Sequence, residues 1–315
     1  MRKRKRINGT GWIITFLIVL TIFFIPFEKF YNPILDRLND DTTEHPIEIN
    51  TTLDRNEAVK SDLHSQNAIL LKLDDHNILM EKHSEEIIFP ASLTKIMTVI
   101  VAIENIPDLQ KRIILPEKIF SDLYAANASM AGFLPNEKAA AIDLLYGAML
   151  PSGAEATIGL ANEVAGSEKE FVQLMNKKAN QLGMKDSHFT NATGLHHPDH
   201  YSSVKDISVL VEYALNNKTF RTIFTAEKYS TSPTNLHPNG ITFKSSMFKN
   251  IDSANLMGGE IIGGKTGYTE QAGLCLASIA EINGQEYLLI TAGANGSHHT
   301  EQYNIIDAFA VYKQL

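Results

Sequence analysis

The fold of this chain is decided by residues 89–103, which have the sequence FPASLTKIMTVIVAI. From residue 93 to residue 103 the stretch is apolar on almost every side, and this pattern predicts a helix buried in a core. Ser92 and Lys95 are three residues apart at the start of that helix, so their side chains are expected on one face. Burial lowers the pKa of a lysine, and a neutral amine can take a proton from a neighbouring hydroxyl. The alternative interpretation is an N-cap serine followed by a lysine that reaches out to solvent.

The Ser-x-x-Lys spacing is not specific by itself, because it occurs again at residues 202–205 and 246–249. Neither copy begins a long apolar helix. Ser202 or Ser203 is predicted instead to cap a helix over residues 204–215. The apolar context is therefore what distinguishes Ser92.

The length, net charge and cysteine content of the chain limit its possible folds and partners. A chain of 315 residues has ample core for one large domain or two modest ones. The net charge of −8 disfavours nucleic acid as a partner, and the body of the chain has no basic stripe. A single cysteine, Cys275, cannot form an intrachain disulfide, and its apolar neighbours predict a small buried side chain.

The first 66 residues differ in character from the rest. Five consecutive basic residues, 2–6, precede an apolar run over residues 12–27, which is the pattern of an export signal. No small-x-small cleavage site follows, so residues 1–30 are interpreted as a cytoplasmic basic end and an uncleaved signal anchor, with a cleaved signal peptide as the alternative. Residues 31–66 are polar and acidic without a sustained period, which predicts a stalk. The body would then be residues 67–315, outside the cytoplasm.

Periodicity within the body predicts strands at both ends of the chain with helices between them. We expect helices over residues 93–103, 139–150, 154–165, 168–182, 204–215 and 301–312. Strands are expected over residues 68–72, 78–82, 258–264, 274–282 and 286–293. This order predicts an α+β fold with one mixed sheet flanked by helices.

A second motif, Lys265-Thr266-Gly267 followed by Tyr268, lies on a predicted strand far downstream of Ser92. The glycine would let a substrate backbone lie close to the strand. The lysine and threonine could hold an anionic group by charge and hydrogen bond. A glycine-rich turn with a surface lysine is the alternative when the motif is considered alone.

Taken together, the two motifs resemble the penicillin-recognising serine enzymes. More closely, the chain is similar to the low-molecular-weight penicillin-binding proteins that are serine-type D-alanyl-D-alanine carboxypeptidases. Four segments carry this resemblance, at residues 90–98, 143–153, 189–195 and around Lys265. The likeness runs from about residue 68 to the last residue and implies the α+β penicillin-binding domain, similar to that of β-lactamases and transpeptidases.

The resemblance implies three catalytic residues. Ser92 would be the nucleophile, Lys95 the base that activates it, and Ser152 the group that passes a proton to the leaving D-alanine. An acyl-enzyme would form on Ser92 and water would then release the shortened peptide. The resemblance requires no metal or organic cofactor.

The resemblance also implies how substrate is bound. Lys265 and Thr266 would bind the terminal carboxylate, next to Gly267, and the N–H groups of Ser92 and Tyr268 would form the oxyanion hole. The implied substrate is a peptidoglycan peptide ending in D-Ala-D-Ala, and β-lactams would be covalent inhibitors. The alternatives are a catalytically weak penicillin-binding or sensor protein and a β-lactamase-like hydrolase.

Two departures from the family pattern stand out. The family's usual Ser-x-Asn motif is here Ser152-Gly153-Ala154, followed by Glu155, so a carboxamide is missing. Many members carry an arginine near the final helix, whereas this chain has no arginine after residue 221 and has histidines at residues 298 and 299.

A different hypothesis is a zinc peptidase, because four potential ligands cluster in one loop. They are His196, His197, Asp199 and His200. Zinc sites usually take ligands from a helical or strand framework together with a distant third ligand. A polar loop at the rim of a cleft is the alternative interpretation.

Overall fold

The computed structural model describes residues 62–315. The predicted basic end, the signal anchor and nearly all of the predicted stalk lie outside the described residues. Within the described part of the chain, no helix is both long and apolar enough to cross a membrane.

A six-stranded antiparallel sheet forms the framework, and its strands come from both ends of the described region. The spatial order is β2-β1-β10-β9-β8-β7, and two separate two-stranded pairs, β3-β4 and β5-β6, lie outside it. In chain order the strands are β1 (Asn67–Lys72), β2 (Asn77–Lys82), β3 (Arg112–Ile114), β4 (Lys138–Ala140), β5 (Lys228–Ser230), β6 (Thr242–Lys244), β7 (Asn255–Leu256), β8 (Gly259–Thr269), β9 (Gly273–Ile282) and β10 (Gln285–Ala294).

Eight α-helices occur within residues 62–315, and six of them were predicted from periodicity. In chain order they are α1 (Thr94–Asn105), α2 (Lys118–Ala125), α3 (Ala141–Met149), α4 (Ala154–Ala165), α5 (Glu168–Gln181), α6 (Val204–Leu215), α7 (Lys218–Phe224) and α8 (Tyr303–Tyr312). The short helices α2 and α7 were missed, because fewer than nine residues give a weak period. The predicted α+β architecture is confirmed, but the expectation of a mixed sheet is wrong, because every neighbouring pair of strands in it is antiparallel.

Helix α1 lies in the larger of two cores. Nine of its twelve residues are buried, from Thr94 to Ala102. This core also includes Ile69 and Leu71 from one face of β1. Because successive residues of a strand point to opposite faces, Ala68 and Leu70 belong instead to the second core, with Val311 of α8. Burial on both faces explains why β1 reads as an unbroken apolar run.

The body extends a few residues further towards the N-terminus than the sequence suggested. Residues 62–66 fall within the predicted stalk, yet Leu63 and Ser65 are buried. Ser65 donates to the buried carboxylate of Asp307 from both its hydroxyl (2.6 Å) and its backbone N–H (2.8 Å). A polar segment that satisfies a buried carboxylate has no apolar period, and composition alone therefore did not reveal it.

Candidate active site

Ser92 lies in a tight turn of 3₁₀ helix, Ala91–Leu93, directly before α1. Ala91 has φ of +46°, a backbone conformation that is unfavourable for alanine and concentrates at functional sites. The Ser92 side chain makes no cap hydrogen bond, and Lys95 is only 2% exposed. The alternative of a capping serine with a solvent-reaching lysine is therefore wrong.

The side chain of Lys95 connects Ser92 to a distant loop. Its Nζ donates to Ser92 Oγ at 3.1 Å and to the carbonyl oxygen of Thr193 at 2.5 Å. Burial lowers the pKa of Lys95 to about 7, against the smaller opposing effect of the Glu155 charge. At neutral pH a large fraction of Lys95 is thus a neutral amine beside a hydroxyl, which is what general-base chemistry needs.

The loop that carries Thr193 is built around the side chain of Asn191. Its Oδ1 accepts hydrogen bonds from Thr193 N, Thr193 Oγ1 and Gly194 N, at 3.1, 2.9 and 2.7 Å. Its Nδ2 donates to the Leu195 carbonyl at 2.9 Å. Gly194 has φ of +78°, and a Cβ there would lie 2.0 Å from the Ala91 carbonyl oxygen. The loop therefore packs directly against the turn that holds Ser92.

Two threonines of α1 attach the helix to the same loop. Thr98 donates to the Ala192 carbonyl at 2.7 Å, and Thr94 Oγ1 lies 2.8 Å from His200 Nε2. The other ring nitrogen of His200 lies 3.2 Å from the Thr190 hydroxyl. Burial lowers the pKa of His200 to about 4. No group of three or more metal-ligand side chains is placed to hold an ion in residues 62–315, so the structure offers the zinc hypothesis no site.

Ser152 lies in the turn between α3 and α4, with φ of +68°. The turn is fixed by hydrogen bonds from Gly153 N to Gly147 O (2.8 Å) and from Ala154 N to Ser129 O (2.8 Å). A Cβ at Gly153 would lie 2.5 Å from Ala131 Cβ, so close packing requires glycine there. The tight packing holds Ser152 in its left-handed conformation.

Lys265 is completely buried on β8 and reaches Ser152. Its Nζ donates to Ser152 Oγ at 3.0 Å and to the Thr266 carbonyl at 2.7 Å. Burial, together with the positive charge of Lys95, lowers the pKa of Lys265 well below its ordinary value. The interpretation of this motif as a turn with a surface lysine is wrong, because Lys265 lies inside the longest strand of the sheet.

Gly267 allows β8 to approach the turn at Ser92. A Cβ at Gly267 would lie 3.1 Å from Ser92 N and 3.2 Å from the Pro90 carbonyl oxygen, closer than most real Cβ contacts. The next residue, Tyr268, stacks edge-on against His298 with ring centroids 4.8 Å apart. Glycine therefore lets the end of β8 lie beside the backbone N–H of Ser92.

The three catalytic and four substrate-binding residues that the resemblance implies are brought together at one site. A cavity of about 230 Å³ is lined by Ser92, Ser152, Thr266, Gly267 and Tyr268, with Lys265 buried behind Ser152. A second cavity of about 330 Å³ shares Ser92 and Tyr268 with the first and is also lined by Lys95, Ala154 and Thr193. The two cavities together form the cleft, and Ser92 lines both of them.

Glu155 does not face the cleft. It is buried, and its Oε1 accepts from the backbone N–H groups of residues 131, 132 and 133 at 2.7, 2.9 and 3.2 Å. Burial raises its pKa against these hydrogen bonds. Glu155 therefore cannot replace the missing carboxamide at position 154, and its role is to hold the loop beside Gly153.

Sequence reasoning missed several cleft residues. Ser246 lines the cleft, and Thr193 contributes its backbone carbonyl to Lys95. Ser246 belongs to one of the two further copies of the Ser-x-x-Lys spacing. His298, near the place where many family members carry an arginine, also lines the cleft. The segment containing Thr193 carried part of the family resemblance, and this was a usable signal for a role in the site.

Comparison with known proteins identifies the family of the chain. The family model Peptidase S11, described as D-alanyl-D-alanine carboxypeptidase, matches residues 54–296. The chain is 34% identical over 237 residues to D-alanyl-D-alanine carboxypeptidase DacF of Bacillus subtilis (strain 168), covering 73% of this chain and 58% of that protein. It is 31% identical over 203 residues to D-alanyl-D-alanine carboxypeptidase of Streptomyces sp. (strain K15), covering 62% of this chain and 68% of that protein. The chain thus spans a little over half the length of the first of these relatives.

Solved structures show the same fold. The Streptomyces K15 DD-transpeptidase superposes with a TM-score of 0.72 at 24% identity, covering 81% of this chain and 98% of that one. Penicillin binding protein 5 from Haemophilus influenzae gives a TM-score of 0.68 at 23% identity, covering 81% and 71% respectively. The resemblance drawn from the sequence is confirmed. The family model covers more than half of the length of this chain, and the chain therefore belongs to the S11 family of peptidases, the D-alanyl-D-alanine carboxypeptidases.

Proposed function

We propose that this protein is a serine D,D-carboxypeptidase that removes the terminal D-alanine from peptidoglycan peptides through an acyl-enzyme on Ser92. The observation that carries the proposal is a pair of lysine–serine contacts at one cavity. Lys95 Nζ lies 3.1 Å from Ser92 Oγ, and Lys265 Nζ lies 3.0 Å from Ser152 Oγ. Lys95 would activate the nucleophile Ser92, and Lys265 would supply the proton that Ser152 passes to the leaving group.

In the acylation step, Ser92 Oγ bonds to the carbonyl carbon between the two D-alanines. Its proton passes to the neutral amine of Lys95. The C–N bond then breaks as Ser152 gives its proton to the departing amine, and Lys265 Nζ replaces that proton on Ser152. The N–H groups of Ser92 and Tyr268 would hold the developing oxyanion, and each donor of this type contributes about 3 kcal/mol in the transition state.

Hydrolysis reverses these proton transfers. Water adds to the acyl carbon, and its proton returns through Ser152 to Lys265. The ester bond breaks and the proton held by Lys95 returns to Ser92 Oγ. Free D-alanine and a peptide shortened by one residue are the products, and every group of the enzyme is restored.

Substrate binding would use the two residues at the middle of β8. The Thr266 hydroxyl and the Lys265 charge are suited to the terminal carboxylate. A bound carboxylate would raise the pKa of Lys265 again, since an opposite charge favours the charged form. β-Lactams carry a carboxylate and a reactive amide in a similar relationship, and they are therefore expected to acylate Ser92 and remain bound.

The test is the release of D-alanine from an N-acylated peptide ending in D-Ala-D-Ala, measured beside labelling by a fluorescent penicillin. We expect catalytic release and stoichiometric labelling. Labelling without release would support the alternative of a penicillin-binding sensor, which the absence of a carboxamide at Ala154 motivates. With an added amine acceptor, the mass of the peptide product would also distinguish hydrolysis from transfer, because D-alanine leaves in both reactions.

We also propose that residues 12–27 anchor the protein in the cell membrane, with the body outside the cytoplasm. The basic cluster at residues 2–6, the apolar run and the bulky residues after it support this assignment. N-terminal sequencing of the mature protein tests it. A mature chain that starts near residue 30 would show that the segment is a cleaved signal instead.

A further inference from the structure

The hydroxyl groups of Ser246 and Thr266 form a hydrogen bond at the wall of the 230 Å³ cavity. Ser246 Oγ lies 2.5 Å from Thr266 Oγ1. Ser246 belongs to the segment after β6 and is fixed by its backbone. Its N–H donates to the Leu150 carbonyl at 2.9 Å, and its carbonyl accepts from Asn250 Nδ2 at 2.7 Å. A remote contact to Leu150 and a local contact to Asn250 thus hold the backbone of Ser246, whose hydroxyl lies against Thr266.

The protons of this hydroxyl pair are limited in number. Each hydroxyl has one proton to donate, and the bond between them uses one of the two. Within residues 62–315, neither hydroxyl has another hydrogen-bond partner from the protein. One proton therefore remains, and both residues line the cavity that also contains Ser92 and Ser152. A ligand with an acceptor oxygen in this cavity would take that proton.

We propose that Ser246 is a positioning residue that holds the Thr266 hydroxyl as a donor to the terminal carboxylate of the substrate. When Ser246 donates to Thr266 Oγ1, the Thr266 proton is left for the carboxylate. A hydroxyl that accepts a hydrogen bond is polarised and becomes a stronger donor. This role rests on the proposed function, because it assumes that the cavity receives a carboxylate. Ser246 itself does not need to contact the scissile bond.

The test compares acylation by benzylpenicillin, which has a free carboxylate, with acylation by its methyl ester. In Ser246→Ala the second-order rate constant for benzylpenicillin is expected to fall by about two- to twelve-fold, the scale of one hydrogen bond. The slower reaction of the ester should be unchanged. Ser246→Thr keeps a hydroxyl and should restore most of the lost rate. For a D-Ala-D-Ala peptide, KM should rise by more than kcat falls.

Ser245→Ala is the matched control. Ser245 is adjacent and buried, its N–H donates to the Glu227 carbonyl, and it is not one of the residues that line the cavity. It should change neither rate constant. Equal slowing of both compounds in Ser246→Ala would show a general structural effect and would overturn the proposal, as would unchanged rates for both.

The same experiment separates this proposal from the proposed function. If the parent protein is acylated but releases no D-alanine from peptide, the carboxypeptidase proposal fails, while a carboxylate-specific loss in Ser246→Ala still supports the role of Ser246. If the parent is acylated by neither compound, both proposals fail.

Discussion

The Thr193 carbonyl oxygen and Lys95 Nζ lie 2.5 Å apart, although the two residues are separated by 98 positions in the sequence. A carbonyl oxygen accepts a hydrogen bond from either a charged or a neutral amine, so it orients Lys95 without fixing its charge. The amine is therefore aimed at Ser92 while its pKa remains governed by burial. The loop at Thr193 therefore orients the amine, and burial in the core sets its pKa.

Ser92→Ala is expected to abolish covalent labelling by a fluorescent penicillin and to leave the fold intact. Ser92 is partly exposed, and its hydroxyl can be removed without opening a core cavity. Labelling is read by gel fluorescence and mass spectrometry, and folding by chemical denaturation.

Ser202→Ala is the matched control for that experiment. Ser202 shares the Ser-x-x-Lys spacing but is fully buried, with its hydroxyl 2.7 Å from Ser187 Oγ. Labelling should persist in this variant. Labelling that survives in Ser92→Ala, or disappears only in Ser202→Ala, would refute the assignment of the nucleophile.

The rate of acylation should rise with pH through a midpoint near 7. Lys95 must be neutral to accept the proton of Ser92, and burial lowers its pKa to about 7. Below that value the neutral fraction falls, so at one pH unit below the midpoint the rate should be about a tenth of the plateau. The second-order rate constant for penicillin labelling between pH 5 and 9 measures this.

Glu155→Gln provides the control for the pH profile. The charge of Glu155 raises the pKa of Lys95, so its removal should move the midpoint to lower pH. The glutamine oxygen can still accept from the backbone of residues 131–133, which limits damage to the loop. A rate that falls as pH rises through 7 would contradict the role of Lys95 as a base.

Asn191→Ala should both destabilise the protein and slow acylation. Asn191 Oδ1 accepts three hydrogen bonds from Thr193 and Gly194, and their loss leaves donors unsatisfied in a largely buried loop. We expect the free energy of unfolding to fall by about 1–3 kcal/mol. Acylation should slow because the Thr193 carbonyl no longer holds Lys95. Urea unfolding and penicillin labelling measure the two effects.

Asn191→Asp separates the two halves of that side chain. It keeps the accepting oxygen, loses the donor to the Leu195 carbonyl and the Thr190 hydroxyl, and adds a negative charge. It should retain more of the acylation rate than Asn191→Ala. If both variants label at the parental rate, the loop does not position Lys95.

The sequence was a good guide to parts of the site that depend on local pattern. The burial of Lys95 follows from the apolar helix that contains it. Lys265 does lie on a strand of the late sheet, although that strand runs to Thr269 and the predicted bounds ended at residue 264. The same kind of reasoning could not find Ser246, whose contact with Thr266 depends on how a loop packs across the end of the sheet. Local pattern predicts which element a residue joins, whereas contacts between loops depend on the whole fold.

Glu155 shows why position in a motif is a weaker guide than environment. It is a polar residue directly after Ala154, the position at which the family usually has a carboxamide. Because consecutive residues of a helix point in different directions, it lies instead against residues 131–133. Ala154, not Glu155, borders the 330 Å³ cavity beside Ser92.

Ala154→Asn should therefore raise kcat/KM for a D-Ala-D-Ala peptide. Ala154 lines the 330 Å³ cavity, which Ser92 lines and Thr266 does not, and we expect the acyl part of the substrate there. A carboxamide there could donate to the amide carbonyl of the substrate, and one such hydrogen bond corresponds to a gain of about two- to twelve-fold. Ala154→Leu adds a side chain of similar shape without the amide and should lower kcat/KM by crowding the cavity.

Both variants are compared with the parent on one peptide. Because Ala154 is buried beside Leu123 and Ile158, unfolding is measured in parallel. A stable Ala154→Asn variant with parental or lower turnover would show that this protein binds the acyl part of its substrate without a carboxamide at this position.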